Sequence, residues 1–149
     1  MRWLRVGLAI VVLTLVNMQT PMGQGGSKIL PFPVTAFELG NGFTVVGVDY
    51  DSPGIVAYYT VVRTGSRNEV EDGFSGYAHF FEHMMFRGTD QYPSDAYNAV
   101  VKRMGADSNA FTTSDWTTYY TVASSEALET IMDLESDRFL NFKYSEEDF

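Results

Sequence analysis

The spacing of hydrophobic positions changes several times along this chain, and each change marks a structural element. Strand-like runs of apolar, β-branched and aromatic residues cover residues 37–39, 43–48 and 55–62. The Asn41-Gly42 dipeptide between the first two runs predicts a tight hairpin turn. The third run has no charge before Arg63, and this pattern predicts a central strand.

Three later stretches have the spacing of helices. The first covers residues 75–86, with Ser75 as its candidate N-cap, and the second covers residues 94–104, with Ser94 as its N-cap and Gly105 at its end. The third covers residues 125–139, and its predicted apolar face consists of Leu128, Ile131, Met132 and Phe139. A fourth helix is predicted to begin at Ser145.

Two strand-like runs, residues 108–112 and 116–123, separate the second helix from the third and predict another hairpin. Its aromatic residues Trp116, Tyr119 and Tyr120 are predicted to lie in the core, because aromatic side chains are enriched in buried strands. The order of elements predicts an α+β fold, a mostly antiparallel sheet with helices packed on one face.

The amino terminus has the pattern of a targeting segment. Arg2 and Arg5 precede an apolar run at residues 6–16, which is shorter than the ~20 residues of a membrane-spanning helix. We therefore predict a signal peptide at residues 1–26 and an exported protein, periplasmic or secreted. An uncleaved amino-terminal anchor is the alternative, and it would be the protein's sole contact with a membrane. Residues 27–36 are predicted to be a linker, and residues 37–149 a domain.

Composition narrows the possible functions. The chain is 45% hydrophobic and 15% aromatic, which excludes a disordered protein. Its formal net charge of -9 argues against a nucleic-acid partner. The absence of cysteine excludes disulfide bonds and thiolate ligands. The acidic residues of the last 25 positions are predicted to form a solvent-exposed helix face, and Arg67 and Glu69 to form an ion pair in a turn.

The two histidines of the chain lie in one segment, His79-Phe80-Phe81-Glu82-His83. On a helix, residues three and four positions apart are neighbours, so both imidazoles and the carboxylate of Glu82 converge on one patch. Two imidazoles at this spacing can bind zinc. The surrounding residues are apolar and predict a buried helix, in which an unpartnered carboxylate would be costly. A nearby metal would compensate Glu82, and a hydrogen-bonded His–Glu core pair is the alternative.

The residues that flank the His79–His83 segment also match a known family. The chain resembles the pitrilysin/insulinase-type zinc metallopeptidases, the inverzincins, whose motif is H-x-x-E-H. The resemblance covers residues 37–149. The segments that carry it are residues 63–69, 76–89, 109–112, 118–120, 137–138 and 145–149. It implies the amino-terminal domain of a zinc metalloendopeptidase.

The resemblance implies a role for each site residue. His79 and His83 would ligate one Zn2+ per active site, and Glu82 would be the catalytic base that takes a proton from the zinc-bound water. Asn109, Ala110 and Phe111 would lie on the strand that binds a peptide substrate through backbone hydrogen bonds. The alternative for this strand is an ordinary hairpin packed on the core.

The resemblance also implies what the chain lacks. The third zinc ligand of the family is a glutamate beyond residue 149, so the domain is predicted to be truncated at its carboxyl end and inactive alone. A second homologous domain or subunit would close a chamber around the substrate. Two alternatives to an active peptidase remain: a non-catalytic or partner-dependent subunit of the same fold, and a zinc hydrolase that cleaves another kind of bond.

Overall fold

The computed structural model describes residues 31–71, 73 and 75–143. The chain divides into two compact units, Met1–Asp51 and Ser52–Phe149. The predicted signal peptide, the start of the linker and the helix predicted from Ser145 lie outside the described residues. Of the helices that the structure describes, none has the length and apolar character to cross a membrane. The predicted domain boundaries remain predictions.

The first unit contains the predicted hairpin. Strands β1 (Val34–Glu38) and β2 (Thr44–Val48) pair antiparallel. The turn is closed by Asn41, whose Oδ1 accepts a hydrogen bond from the Phe43 amide at 3.1 Å, and by Gly42, whose φ of 84° suits glycine. The strand begins at Val34 rather than at Phe37, so residues 34–36, which were predicted to be linker, belong to the hairpin.

The second unit contains a three-stranded antiparallel sheet. Strand β3 (Ile55–Val62) has the predicted bounds, and β4 (Asp107–Thr112) with β5 (Thr117–Ser124) forms the predicted second hairpin. The strand order is β3-β5-β4. Within the described sheet β5 is therefore central and β3 lies at an edge, so the predicted central position of β3 is wrong. The burial of the two strands agrees with this order, because most residues of β5 are buried whereas Thr60 is the one buried residue of β3.

Three α-helices accompany the sheet: α1 (Tyr77–Met84), α2 (Ser94–Arg103) and α3 (Leu128–Asn141). The two serine caps were predicted wrongly. The N-cap of α1 is Gly76, whose φ of 93° favours glycine, and the N-cap of α2 is Pro93. The predicted end of α2 is confirmed by Gly105, which has a φ of 63° and donates its amide to the Lys102 carbonyl.

Side-chain contacts place the helices on one face of the sheet. Glu82 of α1 accepts a hydrogen bond from Thr112 of β4. Glu135 of α3 accepts hydrogen bonds from Thr60 of β3 at 3.4 Å and from Tyr97 of α2 at 3.5 Å. The predicted α+β fold, with an antiparallel sheet and helices on one face, is confirmed.

Helix α3 differs from its prediction. Ile131 is buried as expected, but Leu128, Met132 and Phe139 are exposed. Acidic residues Glu126, Glu129 and Asp133 are exposed as predicted, whereas Glu135 and Asp137 are buried. The exposed-face prediction is wrong for these two because hydrogen-bond donors meet their carboxylates inside the protein: Arg138 for Glu135, and Thr89 and Asn141 for Asp137.

Arg138 is the partner that allows Glu135 to be buried. Its Nη2 lies 2.5 and 2.6 Å from the two carboxylate oxygens of Glu135. Its guanidinium carbon lies 4.6 Å from the ring centroid of Tyr119, a cation–π distance. Tyr119 is buried as predicted, whereas Tyr120 is half-buried and Trp116 is 45% exposed.

Candidate metal centre

The two histidines lie side by side on the exposed face of α1. Their Nε2 atoms are 3.1 Å apart. Zinc–nitrogen bonds are about 2.0–2.1 Å long, so two nitrogens of a tetrahedral site lie about 3.3 Å apart. The observed separation fits two imidazoles that share one zinc ion. It also fits a hydrogen bond between the two rings.

Glu82 neighbours the histidines on α1 and lines the same cleft as His79, but its side chain is buried against the sheet. It is 7% exposed, and its Oε2 accepts a hydrogen bond from Thr112 Oγ1 at 2.5 Å. Among the residues that the structure describes, the hydrogen-bond partner of Glu82 is this threonine and neither histidine. The carboxylate is therefore held by the sheet, and the structure gives no support to a His–Glu core pair.

Helix α1 is only partly buried, which corrects the prediction of a buried helix. Ala78, Glu82 and Met84 face the protein interior. Tyr77 is 41% exposed and Phe81 is 40% exposed, and both histidines are exposed as well. The apolar sequence predicted a helix covered on every side, but one face of α1 is open and carries both potential ligands.

Glu69 fixes the start of this helix. Its Oε2 accepts a hydrogen bond from the Gly76 amide and its Oε1 one from the Ala78 amide, both at 2.7 Å. These backbone hydrogen bonds, first from Ala78 and then from Gly76, lower the pKa of Glu69 below its ordinary value of 4.5. The predicted Arg67–Glu69 ion pair is wrong, because Arg67 instead pairs with Asp115 at 2.8 Å.

A cleft of about 540 Å³ joins the helix to the predicted substrate strand. Its lining includes His79 and Glu82 from α1 and Ala110, Phe111 and Thr112 from β4. Asn109 lies outside this lining, and its Oδ1 accepts a hydrogen bond from the Ala110 amide at 2.9 Å. β4 is an edge strand of the described sheet, and its last three residues line the same cleft as His79 of the candidate metal centre.

Thr112 and Thr117 are the site residues that the sequence prediction missed. Thr117 Oγ1 lies 3.2 Å from Thr112 Oγ1 and donates to the Thr64 carbonyl at 3.0 Å. Strand alternation could have indicated that Thr112 and Ala110 face the same side of β4. No sequence signal indicated that this side would meet Glu82.

Tyr119 is close to Glu82 of the candidate site and also to the buried Glu135–Arg138 pair of α3. Burial raises the pKa of Tyr119 to about 12, and the neighbouring Glu82 and Glu135 carboxylates add to this rise while Arg138 opposes it. The phenol is therefore neutral at physiological pH and contributes no charge to the site.

The described residues supply two imidazoles at the candidate centre. They contain no group of three or more His, Asp or Glu side chains placed to hold one metal ion. Catalytic zinc sites ordinarily use three protein ligands and leave one position for water. The predicted location of the third ligand, outside this chain, remains a prediction, as do the roles of His79, Glu82 and His83.

The sequence profile of the family described as Insulinase (Peptidase family M16) matches residues 48–149. The chain belongs to this peptidase family. The matched region contains the whole second unit, with the candidate centre and the cleft. The family resemblance predicted from the H-x-x-E-H segment and its flanking residues is confirmed.

Several relatives of this insulinase-family chain carry functional names. It is 33% identical over 112 residues to the Zinc protease PqqE of Helicobacter pylori, covering 74% of this chain and 25% of that protein. It is 37% identical to the Mitochondrial-processing peptidase subunit beta of Caenorhabditis elegans, covering 74% and 24%. It is 36% identical to Cytochrome b-c1 complex subunit 1 of the same organism, covering 70% and 22%.

A solved structure shares the fold. The crystal structure of a protease from Helicobacter pylori superposes with a TM-score of 0.75 at 31% identity, covering 78% of this chain and 28% of that chain. The chain thus spans about a quarter of the length of the relatives that it matches.

Proposed function

We propose that the intact protein is a zinc-dependent metalloendopeptidase that hydrolyses peptides or unfolded segments. The observation that carries this proposal is the arrangement in the cleft. A pair of imidazole nitrogens 3.1 Å apart and a buried carboxylate lie beside a free strand edge, in a chain of a peptidase family.

Each residue would have a separate task. His79 and His83 would hold zinc, which lowers the pKa of a bound water and polarises the peptide carbonyl. Glu82 would accept a proton from the attacking water and pass it to the leaving amine. Thr112 holds Glu82 through a hydrogen bond of 2.5 Å.

The free edge of β4 would bind the substrate. An extended peptide can add to a strand edge through backbone hydrogen bonds, while pockets select its side chains. Ala110 and Phe111 line the cleft with His79, so a peptide on this edge would pass the metal. Asn109 would lie next to the bound peptide but outside the lining of the cleft, and its side chain accepts a hydrogen bond from the Ala110 amide.

A partner-dependent or non-catalytic subunit of the same fold is the second candidate. It is favoured by relatives named as a subunit of mitochondrial-processing peptidase and of the cytochrome b-c1 complex. A second homologous domain or subunit would complete the chamber, and the third zinc ligand would come from outside this chain. We retain export to the periplasm or medium as part of the proposal.

The Glu82→Gln variant of the intact protein tests the peptidase role. The amide cannot accept the proton, so turnover of a fluorogenic peptide should fall by about 10²–10⁴-fold, while zinc remains bound. Glu129→Gln removes an exposed carboxylate from α3 and is the matched control. Chelation should abolish the parent activity, and added zinc should restore it.

Two outcomes would contradict this assignment. A Glu82→Gln protein as active as the parent would exclude Glu82 as the base. A parent protein that binds zinc but cleaves no peptide, alone or with its partner, would favour the non-catalytic subunit.

A further inference from the structure

We propose that Thr112 is a positioning residue for Glu82, supported from behind by Thr117. This inference rests on the proposed function, because it assigns a role toward the catalytic base. Thr112 belongs to β4 and Glu82 to α1, so the contact couples the substrate strand to the helix that carries the histidines.

The hydrogen bond between them is short and has a defined direction. Thr112 Oγ1 lies 2.5 Å from Glu82 Oε2. An ionised carboxylate can only accept, so the threonine donates. Hydrogen bonds from a hydroxyl to a carboxylate are shorter and stronger than neutral ones. Glu82 is 7% exposed, so water can replace this donor only in part.

Thr117 packs against the Thr112 hydroxyl, and the single proton of each hydroxyl is used elsewhere, on Glu82 by Thr112 and on the Thr64 carbonyl by Thr117. The two residues are directly opposite each other in the β4–β5 register, and their Oγ1 atoms are 3.2 Å apart. Thr117 is 4% exposed and donates its hydroxyl to the Thr64 carbonyl at 3.0 Å. Because β-branched side chains have few χ1 rotamers, this anchored threonine limits the positions open to its neighbour.

A glutamate has three side-chain torsions, so the peptide backbone of α1 alone does not fix its carboxylate. Catalysis by a base requires its oxygen within hydrogen-bond reach of the proton that it accepts. Thr112 holds one carboxylate oxygen while Glu82 lines the cleft beside His79. The hydroxyl thus acts on the orientation of Glu82, and its hydrogen-bond contacts in the described structure are with Glu82 and Thr117, not with either histidine ring.

The test uses the intact, zinc-loaded protein and three variants. Thr112→Val removes the hydroxyl at nearly constant volume, and Thr112→Ser restores it. Thr121→Val is the matched control, because Thr121 is a buried threonine of β5 whose hydroxyl donates to Ser108 at 3.0 Å, away from Glu82. Peptide kcat and KM, zinc affinity by chelator competition, and crystal structures of the parent and variants are measured.

For Thr112→Val we expect kcat to fall about 10–100-fold, the usual effect of removing such a supporting contact. KM and zinc affinity should stay within twofold of the parent, and the crystal structure should show a displaced Glu82 carboxylate. Thr112→Ser should recover most of kcat, and Thr121→Val should leave it unchanged. If Thr112→Val does not fold, Thr117→Val removes the hydroxyl that anchors Thr117 to the Thr64 carbonyl, so Thr112 is less restrained and kcat should fall by a smaller factor.

The inference is overturned if Thr112→Val leaves kcat unchanged, if Thr112→Ser is as impaired as Thr112→Val, or if Thr121→Val has an equal effect. An unmoved Glu82 carboxylate in crystals of Thr112→Val also overturns it, whether or not the protein is active. A parent protein without turnover contradicts the proposed function instead, and the crystal structures still decide the role of Thr112.

Discussion

Helices α1 and α3 each bury one glutamate against the same sheet, but they surround it differently. Glu135 of α3 receives both bonds of Arg138 Nη2, together with the hydroxyls of Thr60 and Tyr97. Glu82 of α1 has the Thr112 hydroxyl as its hydrogen-bond partner in the described structure. The first carboxylate is neutralised within the protein, whereas the second is held in place without a compensating charge.

The exposed faces of the two helices differ as well. On α3 the cation that pairs with the buried acid, Arg138, is itself 4% exposed. On α1 the histidines beside the buried acid are exposed and their Nε2 atoms are turned toward each other. A closed ion pair serves stability, whereas an open pair of ligands beside an uncompensated carboxylate suits the binding of a metal cation.

The largest expected effect on stability is at Glu135. The Glu135→Gln substitution leaves the guanidinium of Arg138 buried without its counter-charge. Removing one partner of a buried pair typically costs about 3–5 kcal/mol of unfolding free energy. Urea denaturation of the intact protein measures this loss. The control Glu129→Gln, an exposed change on the same helix, should leave the unfolding free energy within about 0.5 kcal/mol of the parent value. Equal stability of the two variants would show that the buried Glu135–Arg138 ion pair does not stabilise the protein.

A smaller effect is expected at Glu82 in the metal-free protein. Here Glu82→Gln removes a charge that has no cationic partner in the described structure, and the amide oxygen can still accept from Thr112. The unfolding free energy should change by no more than about 1 kcal/mol. A loss as large as that of Glu135→Gln would mean that Glu82 is a structural carboxylate like Glu135, and the comparison would fail.

The smallest effect concerns the cap of α1. The pKa of Glu69 is lower in the folded protein than its ordinary value of 4.5. The ionised side chain therefore stabilises the fold fully above pH 4.5, and this stabilisation is lost as the pH falls through the folded pKa. Urea denaturation at several pH values should show a shallower acid-side loss of stability for Glu69→Gln than for the parent. Glu71→Gln, two residues away and exposed, should leave the slope unchanged. Parallel curves for the parent and Glu69→Gln would show that this cap does not stabilise the helix.

Local sequence patterns predicted much of this fold. The uncharged run of residues 55–62 gave the bounds of β3, and Asn41-Gly42 gave the first turn. Helix periodicity placed His79 beside His83, because positions four apart always share a face. These features depend on residues that are close in sequence.

Features that depend on distant residues were missed. Glu69 caps a helix that begins at Tyr77, beyond the three-residue spacing of ordinary caps. The burial of Glu135 depends on Arg138 and on the ring of Tyr119, which belongs to another element. Thr112 reaches Glu82 across 30 residues of sequence, so only the packing of α1 on β4 shows the contact.

We propose above all that the open face of α1 binds zinc through His79 and His83. The most direct test is the metal content of the intact protein after zinc loading and dialysis, measured by mass spectrometry. We predict one zinc per chain in the parent and in Glu82→Gln, and a large loss in His79→Ala and His83→Ala. A parent protein that retains no zinc, or a His83→Ala protein that retains as much as the parent, would contradict the account.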